Sequence, residues 1–422
     1  PEDLWTYLEI HRNQGIDTFA IPHNSNVSNG WMFSEDKFLG GPIDERYANR
    51  QASNEPLFEM AQTKGTSETH PIVSPNDEFS DFEPFDNMIS LGLPATKDAG
   101  SFYRTGLAVG MKLERKLGHN PYKMGAVAGA DVHSGYSGNE EWDWKGAHGT
   151  QDDTPKKRLD PKPNASGENG FTVSSAGTTA VWAEENTRAA IFEAMKRKET
   201  YGTSGTFIRL RFFGGWDLPK GITEDKEFVK KSYEVGVPMG RDMPSHPAKD
   251  LAKAPSFAVW ATKDPESGNL DRVQIIKVWS NPANGYPMEK IHNVAWGDTD
   301  KREIDPSTGE LTPVGNTVDI KAATYTNDIG DSQLFAEWTD PEFDPTVSAA
   351  YYVRVLEIPT PRWSTYDARK LGVAPPKGVP PTIQERAWSS PIWYRPSPRI
   401  LDLAREQGRE PPKPKHASPS QQ

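Results

Sequence analysis

Apolar positions along the chain follow two patterns. The first half sets amphipathic stretches between short apolar runs. The second half carries β-branched and aromatic runs divided by Gly, Pro, Asp and Asn. Pro1 to Arg12 (PEDLWTYLEIHR) predicts an amphipathic helix, with Leu4, Leu8 and Ile10 among its apolar positions. A strand is expected over Thr18–Ile21, a helical stretch around Asp44 to Ala52, and a strand over Pro56–Met60. A helix from about Ser101 to Leu117 and a strand over Gly125–Ala130 come next. Helices alternating with short strands that end in polar residues form the β/α pattern, whose chemistry collects at the C-terminal strand ends. Gly135 to Thr172 is rich in Gly, Asp, Asn, Lys and Pro and reads as a long loop, a lid or rim. A helix is expected from about Asn186 to Lys198, with Ala190, Ile191 and Met195 on one face.

After Gly205 the runs Thr206–Phe213, Ser256–Thr262, Arg272–Val278, Leu334–Trp338 and Ala349–Ile358 predict a β-sandwich. Its aromatics (Trp216, Trp260, Trp279, Trp338, Tyr351, Tyr352) fit a core better than a carbohydrate-binding face. The expected division is 1–205, 206–360 and a Pro-rich extension over 361–422 that returns to the first part. Residues 411–422 (PPKPKHASPSQQ) are expected to be a disordered tail.

Composition narrows the function classes. There is no cysteine, so thiol catalysis and Cys-ligated zinc are excluded, and any metal must sit on His, Asp and Glu. The same lack fits an exported protein, periplasmic or secreted. The net charge of −11, with no dense Lys/Arg block, argues against nucleic acid as a partner. No apolar run approaches the length of a membrane span. The chain opens at Pro1 without Met, which suggests a processed or truncated product.

Four residues stand at predicted strand ends. His23 follows the first strand, Glu59 lies in the second, and Asp131 and His133 follow the third. Strands lying side by side in a barrel would bring all four to one mouth. Two imidazoles and two carboxylates suit Zn, Mn or Fe, and more than one ion. In an extended Asp-x-His segment both side chains point the same way. Each piece alone is weak: a lone His is usually hydrogen-bonded or at the surface, and Glu59 could pair with Lys64 or Arg50. Asn24 and Asn26 could orient a phosphate or sugar, or merely hold a turn. Lys64 and His70 follow the Glu59 strand, where a substrate anion would sit; the alternative is a solvated loop. His148, on the long loop, is a candidate acid/base group or a free surface His. Trp142-Asp-Trp144 is a stacking platform or a loop anchor.

Five ordered blocks carry a resemblance. They are IPHNSNVSNGWMF, EPLFEMAQTKGTSETH, NPYKMGAVAGADVHSG, AVWAEENTRAAIFEAMKRKETYGTSG and YYVRVLEIPTPRWSTYDA with IQERAWSSPIWY. Together they resemble the DUF3604 family, related to the PHP (polymerase and histidinol phosphatase) superfamily, from Pro1 to about Tyr394. PHP proteins are distorted (β/α)7 barrels that hold two or three metal ions and commonly hydrolyse phosphate esters. The resemblance implies that His23, Glu59, Asp131 and His133 are metal ligands. It also implies that this chain is the C-terminal portion of such a barrel followed by the sandwich. The His-x-His strand that opens PHP proteins is missing, so a preceding segment or a second chain is expected to complete the barrel. The implied activity is metal-dependent hydrolysis of small anionic phosphomono- or diesters by metal-activated water. The alternatives are a secreted or envelope-associated binding module with a degenerate metal site, or hydrolysis of an ester or amide.

Overall fold

The computed structural model describes residues 1–88, 93–135, 140–162, 170–175, 177–248 and 250–409. The tail expected over 411–422 lies outside them. Helix α1 (Glu2–Asn13) buries Trp5 and Leu8, while Leu4 and Ile10 face outward. The strand expected over 18–21 joins no ladder. Its Ala20 N–H donates to the Asn54 carbonyl at 2.8 Å. Helix α2 (Glu45–Asn54) starts where Asp44 caps it, its Oδ1 accepting from the Tyr47 N–H at 2.8 Å. Strand β1 (Leu57–Glu59) follows. Helix α3 (Tyr103–Leu117) stops at Gly118, whose φ of 77° few other residues adopt. Gly106 in α3 accepts a helix-propensity penalty because a Cβ there would lie 2.4 Å from the Phe33 ring. Strand β2 (Gly125–Val127) lies parallel to β1, with Glu59 opposite Val127.

The chain then gives β3 (Thr178–Val181), α4 (Arg188–Lys196), β4 (Thr200–Thr203) and β5 (Arg209–Gly215). Next are α5 (Phe228–Val235), β6 (Val237–Pro238), β7 (Ser256–Thr262), β8 (Leu270–Ser280) and β9 (Pro287–Trp296). The last elements are β10 (Gln333–Thr339), β11 (Ala349–Glu357), α6 (Trp363–Leu371), β12 (Arg386–Ser389), β13 (Ile392–Tyr394) and α7 (Pro398–Glu406). A seven-stranded antiparallel sheet has the order β9-β8-β11-β12-β4-β3, with β13 also pairing β11. A four-stranded antiparallel sheet has the order β10-β7-β5-β6. The fold is mixed helix and sheet. Among the described residues no sheet closes into a barrel, and β1–β2 is the one parallel ladder.

The large sheet is covered on both faces, which explains why β8 and β11 are buried almost throughout. On one face Val273, Ile275, Tyr351 and Val353 meet Leu210, Phe212, Phe257 and Val259 of the small sheet. On the other, Ile276, Val278, Ala350 and Tyr352 meet Leu107 and Met111 of α3, and Phe58 and Ala126 of β1 and β2. The large sheet also takes in β3 and β4, so it crosses residue 205. No helix among the described residues is long and apolar enough to cross a membrane.

A charged network is sealed behind this second face. Arg104 reaches Glu68 at 2.6 Å and Asp77 at 2.9 Å, and Arg354 reaches Asp77 at 2.7 Å and Glu68 at 3.2 Å. Trp388 Nε1 and the Tyr352 hydroxyl also donate to Glu68, at 2.7 and 2.6 Å. Burial alone would raise the Glu68 carboxyl. Arg354 and Arg104 outweigh it and hold the group at about 2.

Candidate functional site

Strand pairing brings the predicted ligands together. The Glu59 N–H donates to the Pro22 carbonyl at 3.1 Å, which fixes the 20–24 segment beside β1 and sets His23 next to Glu59. The Met60 N–H donates to Val127 O at 2.7 Å and the Gly129 N–H to Ala61 O at 3.1 Å, so the chain after β2 follows the chain after β1. Gly129 leaves room for the carboxylate: a Cβ there would lie 2.6 Å from Glu59 Oε1. The site thus sits at the C-terminal ends of the parallel pair.

Its floor is polar and half-buried, and its rim is exposed imidazole. Gln62, which sequence reading passed over, joins the parts: its Nε2 donates to Glu59 Oε2 at 3.0 Å and to Asn24 Oδ1 at 2.9 Å. Its Oε1 accepts from Lys64 Nζ at 3.0 Å. The Lys64 ammonium also bonds Asp131 Oδ2, and Asp131 Oδ1 lies 3.2 Å from His133 Nε2. Burial raises the Glu59 carboxyl above its ordinary range, and the Gln62 amide, His23 and Lys64 oppose that in part. Burial lowers Lys64, and Glu59 opposes it.

The Asp-x-His segment is not extended. Asp131 adopts φ 50°, a left-handed conformation that Asp tolerates better than most residues. The bend, rather than strand alternation, turns Asp131 toward His133. The His133 N–H donates to Ala147 O at 2.6 Å, and the His133 and His148 rings lie 5.0 Å apart. Asp152 Oδ2 stands 3.5 Å from His148 Nδ1. The segment bearing His148 is anchored from below: Trp144 packs on Trp363 at 4.3 Å, and Arg158 pairs with Asp367 at 2.6 Å. Trp144 is therefore a buried anchor, and Trp142 is exposed.

Two candidates are engaged otherwise. Asn26 is buried; its Nδ2 donates to Lys64 O at 2.6 Å and its Oδ1 accepts from Ser67 Oγ at 3.1 Å. It shapes the Lys64 turn. His70 faces Asp86 at 3.3 Å and stacks on Phe102, apart from the cluster. The lone sequence sign of Gln62 is its place three residues after Glu59. Among the described residues, no three His, Asp or Glu side chains gather closely enough to hold a metal ion. His23 and Glu59 form one pair and Asp131 and His133 another, with the Lys64 ammonium on Asp131.

Comparison with known proteins matches residues 1–396 to one family model, described as a protein of unknown function, DUF3604. No curated protein sequence matches the chain, and no solved structure does. The match covers nearly all of the 422 residues, and the chain belongs to the DUF3604 family.

Proposed function

We propose that this cluster is the metal-binding part of a hydrolase acting on phosphomono- or diesters, in the manner of the PHP superfamily. One observation carries the reading. Three separate segments bring two imidazoles, two carboxylates and an ammonium to the C-terminal ends of the one parallel strand pair among the described residues. In β/α proteins that is where chemistry is built. The donor types suit a borderline divalent ion such as Zn, Mn or Fe, which would have to take the place of Lys64 and draw the two pairs together. Glu59 is a shielded carboxylate with a neutral amide for its hydrogen-bond partner, so it keeps acceptor capacity for a cation. Asp131 already holds one cation, the Lys64 ammonium.

His23, Glu59, Asp131 and His133 would hold the ion. When bound, it supplies an acidified water and positive charge beside the leaving oxygen. Lys64, released from Asp131, would neutralise an ester oxygen of the substrate. Asn24 and Gln62 would fix the orientation of Glu59. With Asp152 facing its Nδ1, His148 would carry a proton at Nε2 for the departing alkoxide. Two or three ions need more donors than these four, and a further segment or chain completing a barrel would supply them.

The test is elemental analysis of the protein after incubation with Zn, Mn or Fe and dialysis. It is paired with hydrolysis of 4-nitrophenyl phosphate and bis(4-nitrophenyl) phosphate with and without EDTA. Retained metal, and hydrolysis that EDTA, Glu59→Gln and Asp131→Asn each abolish, is the expected result. No retained metal and no hydrolysis would sink the proposal. That outcome would favour the second reading, a binding module with a degenerate site, to which the lack of a three-donor group points.

A further inference from the structure

A cavity of about 550 Å³ opens at the far end of β3 from the candidate site. The start of β3 touches the site side, where Thr179 Oγ1 donates to Ala128 O at 2.5 Å. Trp182, just past the end of β3, lines the cavity. Arg197 and Glu199 from the turn into β4, Arg211 of β5, Tyr233 of α5 and Arg241 after β6 complete it.

Three guanidinium groups in one cavity repel unless anions face them. Arg197 is engaged by Glu199 and by the Trp182 carbonyl, to which its Nη2 donates at 3.0 Å. Glu199 Oε2 accepts from Arg197 Nε at 2.9 Å and its Oε1 from the Tyr233 hydroxyl. Arg211 Nη1 stays 3.9 Å from that carboxylate. Arg211 is held all the same: its Cζ lies 3.3 Å from the Trp182 ring centroid, and Nη1 donates to the Tyr233 hydroxyl at 3.1 Å. Its Nε is buried with no hydrogen-bond partner. Arg241 is exposed and makes no ion pair among the described residues. Exposed Glu184 is the remaining carboxylate of the wall.

This is an oriented cation with incomplete pairing. A planar guanidinium fixed by stacking loses little freedom on binding and offers paired N–H donors that match an oxyanion. The volume is far larger than a bare phosphate or sulfate needs and falls in the range of small-molecule sites. We propose that the cavity binds a small organic oxyanion, a carboxylate, phosphate or sulfate carried on a sugar-sized body, with Arg211 as the oriented anchor and Arg241 as the second charge. Glu199 acts as a positioning residue that holds Arg197 and Tyr233.

Calorimetric titration of the full chain tests this, in EDTA and a chloride buffer free of phosphate and sulfate, so that the metal site plays no part. The probes are glucuronate, glucose 6-phosphate and glucose 6-sulfate, with glucose as the neutral control. The expected result is saturable 1:1 binding of at least one charged probe and none of glucose. The binding probe identifies the oxyanion. Arg211→Lys should weaken that binding by roughly tenfold, since a point charge cannot replace the stacked fork. Arg241→Ala, at an exposed position that leaves the core intact, should weaken it by roughly fivefold. Circular dichroism checks that both variants fold. Failure of all three charged probes to bind up to about 10 mM overturns the proposal, as does binding undiminished by Arg241→Ala.

Discussion

Glu59 and Gly129 show how closely single residues set the candidate site. The carboxylate passes so near the Gly129 Cα that one added methyl would stand 2.6 Å from its oxygen. Gly129→Ala should therefore cost about 1–3 kcal/mol in urea unfolding and loosen any metal the site retains. An unchanged unfolding midpoint would mean that Glu59 has room to move aside. Lys64 acts in the opposite sense. Its ammonium neutralises Asp131, so Lys64→Met should tighten divalent-ion binding in chelator competition while weakening turnover of an anionic ester. Tighter binding with undiminished turnover would remove Lys64 from substrate recognition. The positions of His23, Glu59, Asp131 and His133 along the chain could be read from the sequence, because three follow apolar runs and Glu59 interrupts one. Gln62 was not, since an amide carries no spacing signature. The buried role of Asn26 was hidden because its partners lie 38 and 41 residues away.

Among the elements, the strands read best where apolar and aromatic residues crowd together. Ser256–Thr262 has the expected bounds, and β8, β10 and β11 lie within a few residues of them. Strand β9 escaped because PMEKIHNVAW mixes charge with apolar residues, as suits the edge strand of a sheet. Strand β5 begins only at Arg209, three residues late, because Thr203 Oγ1 accepts from the Gly205 N–H and donates to Thr206 O, closing a turn first. What locks α3 to β11 is the buried network, and its partners could not be read in advance. Arg354 and Glu68 are 286 residues apart. Arg354→Met leaves Glu68 and Asp77 to Arg104 in a dry interface, so it should destabilise the fold by about 3–5 kcal/mol in denaturant titration. The double variant Arg354→Met with Asp77→Asn should lose less than the two single losses combined, because the second change removes the stranded charge. Strict additivity would show that the two groups do not depend on each other.

For the whole molecule, the sequence suggested a barrel followed by a sandwich, and the structure joins the two halves through one sheet. Thr203 of β4 pairs with Ala387 of β12, a long-range register that local pattern does not encode. Near that joint, where Glu140–Trp142 face Thr206, Thr360 and Glu385, the buried glutamates Glu141, Glu357 and Glu385 gather. Burial pushes Glu357 up to about 7 despite hydrogen bonds from Ser267 and Thr206. Burial also pushes Glu141 to about 7 against the pull of Arg362, and raises Glu385 well above the ordinary carboxylate range with the help of Glu141. These groups bind protons more tightly folded than unfolded. Their contribution is complete below the unfolded value of 4.5 and is lost as pH rises through about 7. Glu68 has the opposite sign: held at about 2, it stabilises the fold above 4.5 and loses that effect only as pH falls toward 2. The chain should therefore resist denaturant better at pH 5 than at pH 8. For Glu357 alone the difference between 4.5 and about 7 is worth about 3 kcal/mol. Glu357→Gln keeps an acceptor for both hydroxyls and cannot ionise, so it should narrow the gap between the two pH values by about 2.5 kcal/mol, the part of that effect that falls between them. Unfolding curves of wild type and variant at both pH values isolate this group from every other titration in a chain of net charge −11. Equal gaps in the two proteins would show that Glu357 ionises in the folded state as readily as in the unfolded one, and the joint would then owe its closure to the Arg362–Glu83 pair at 2.8 Å and the Trp144–Trp363 contact.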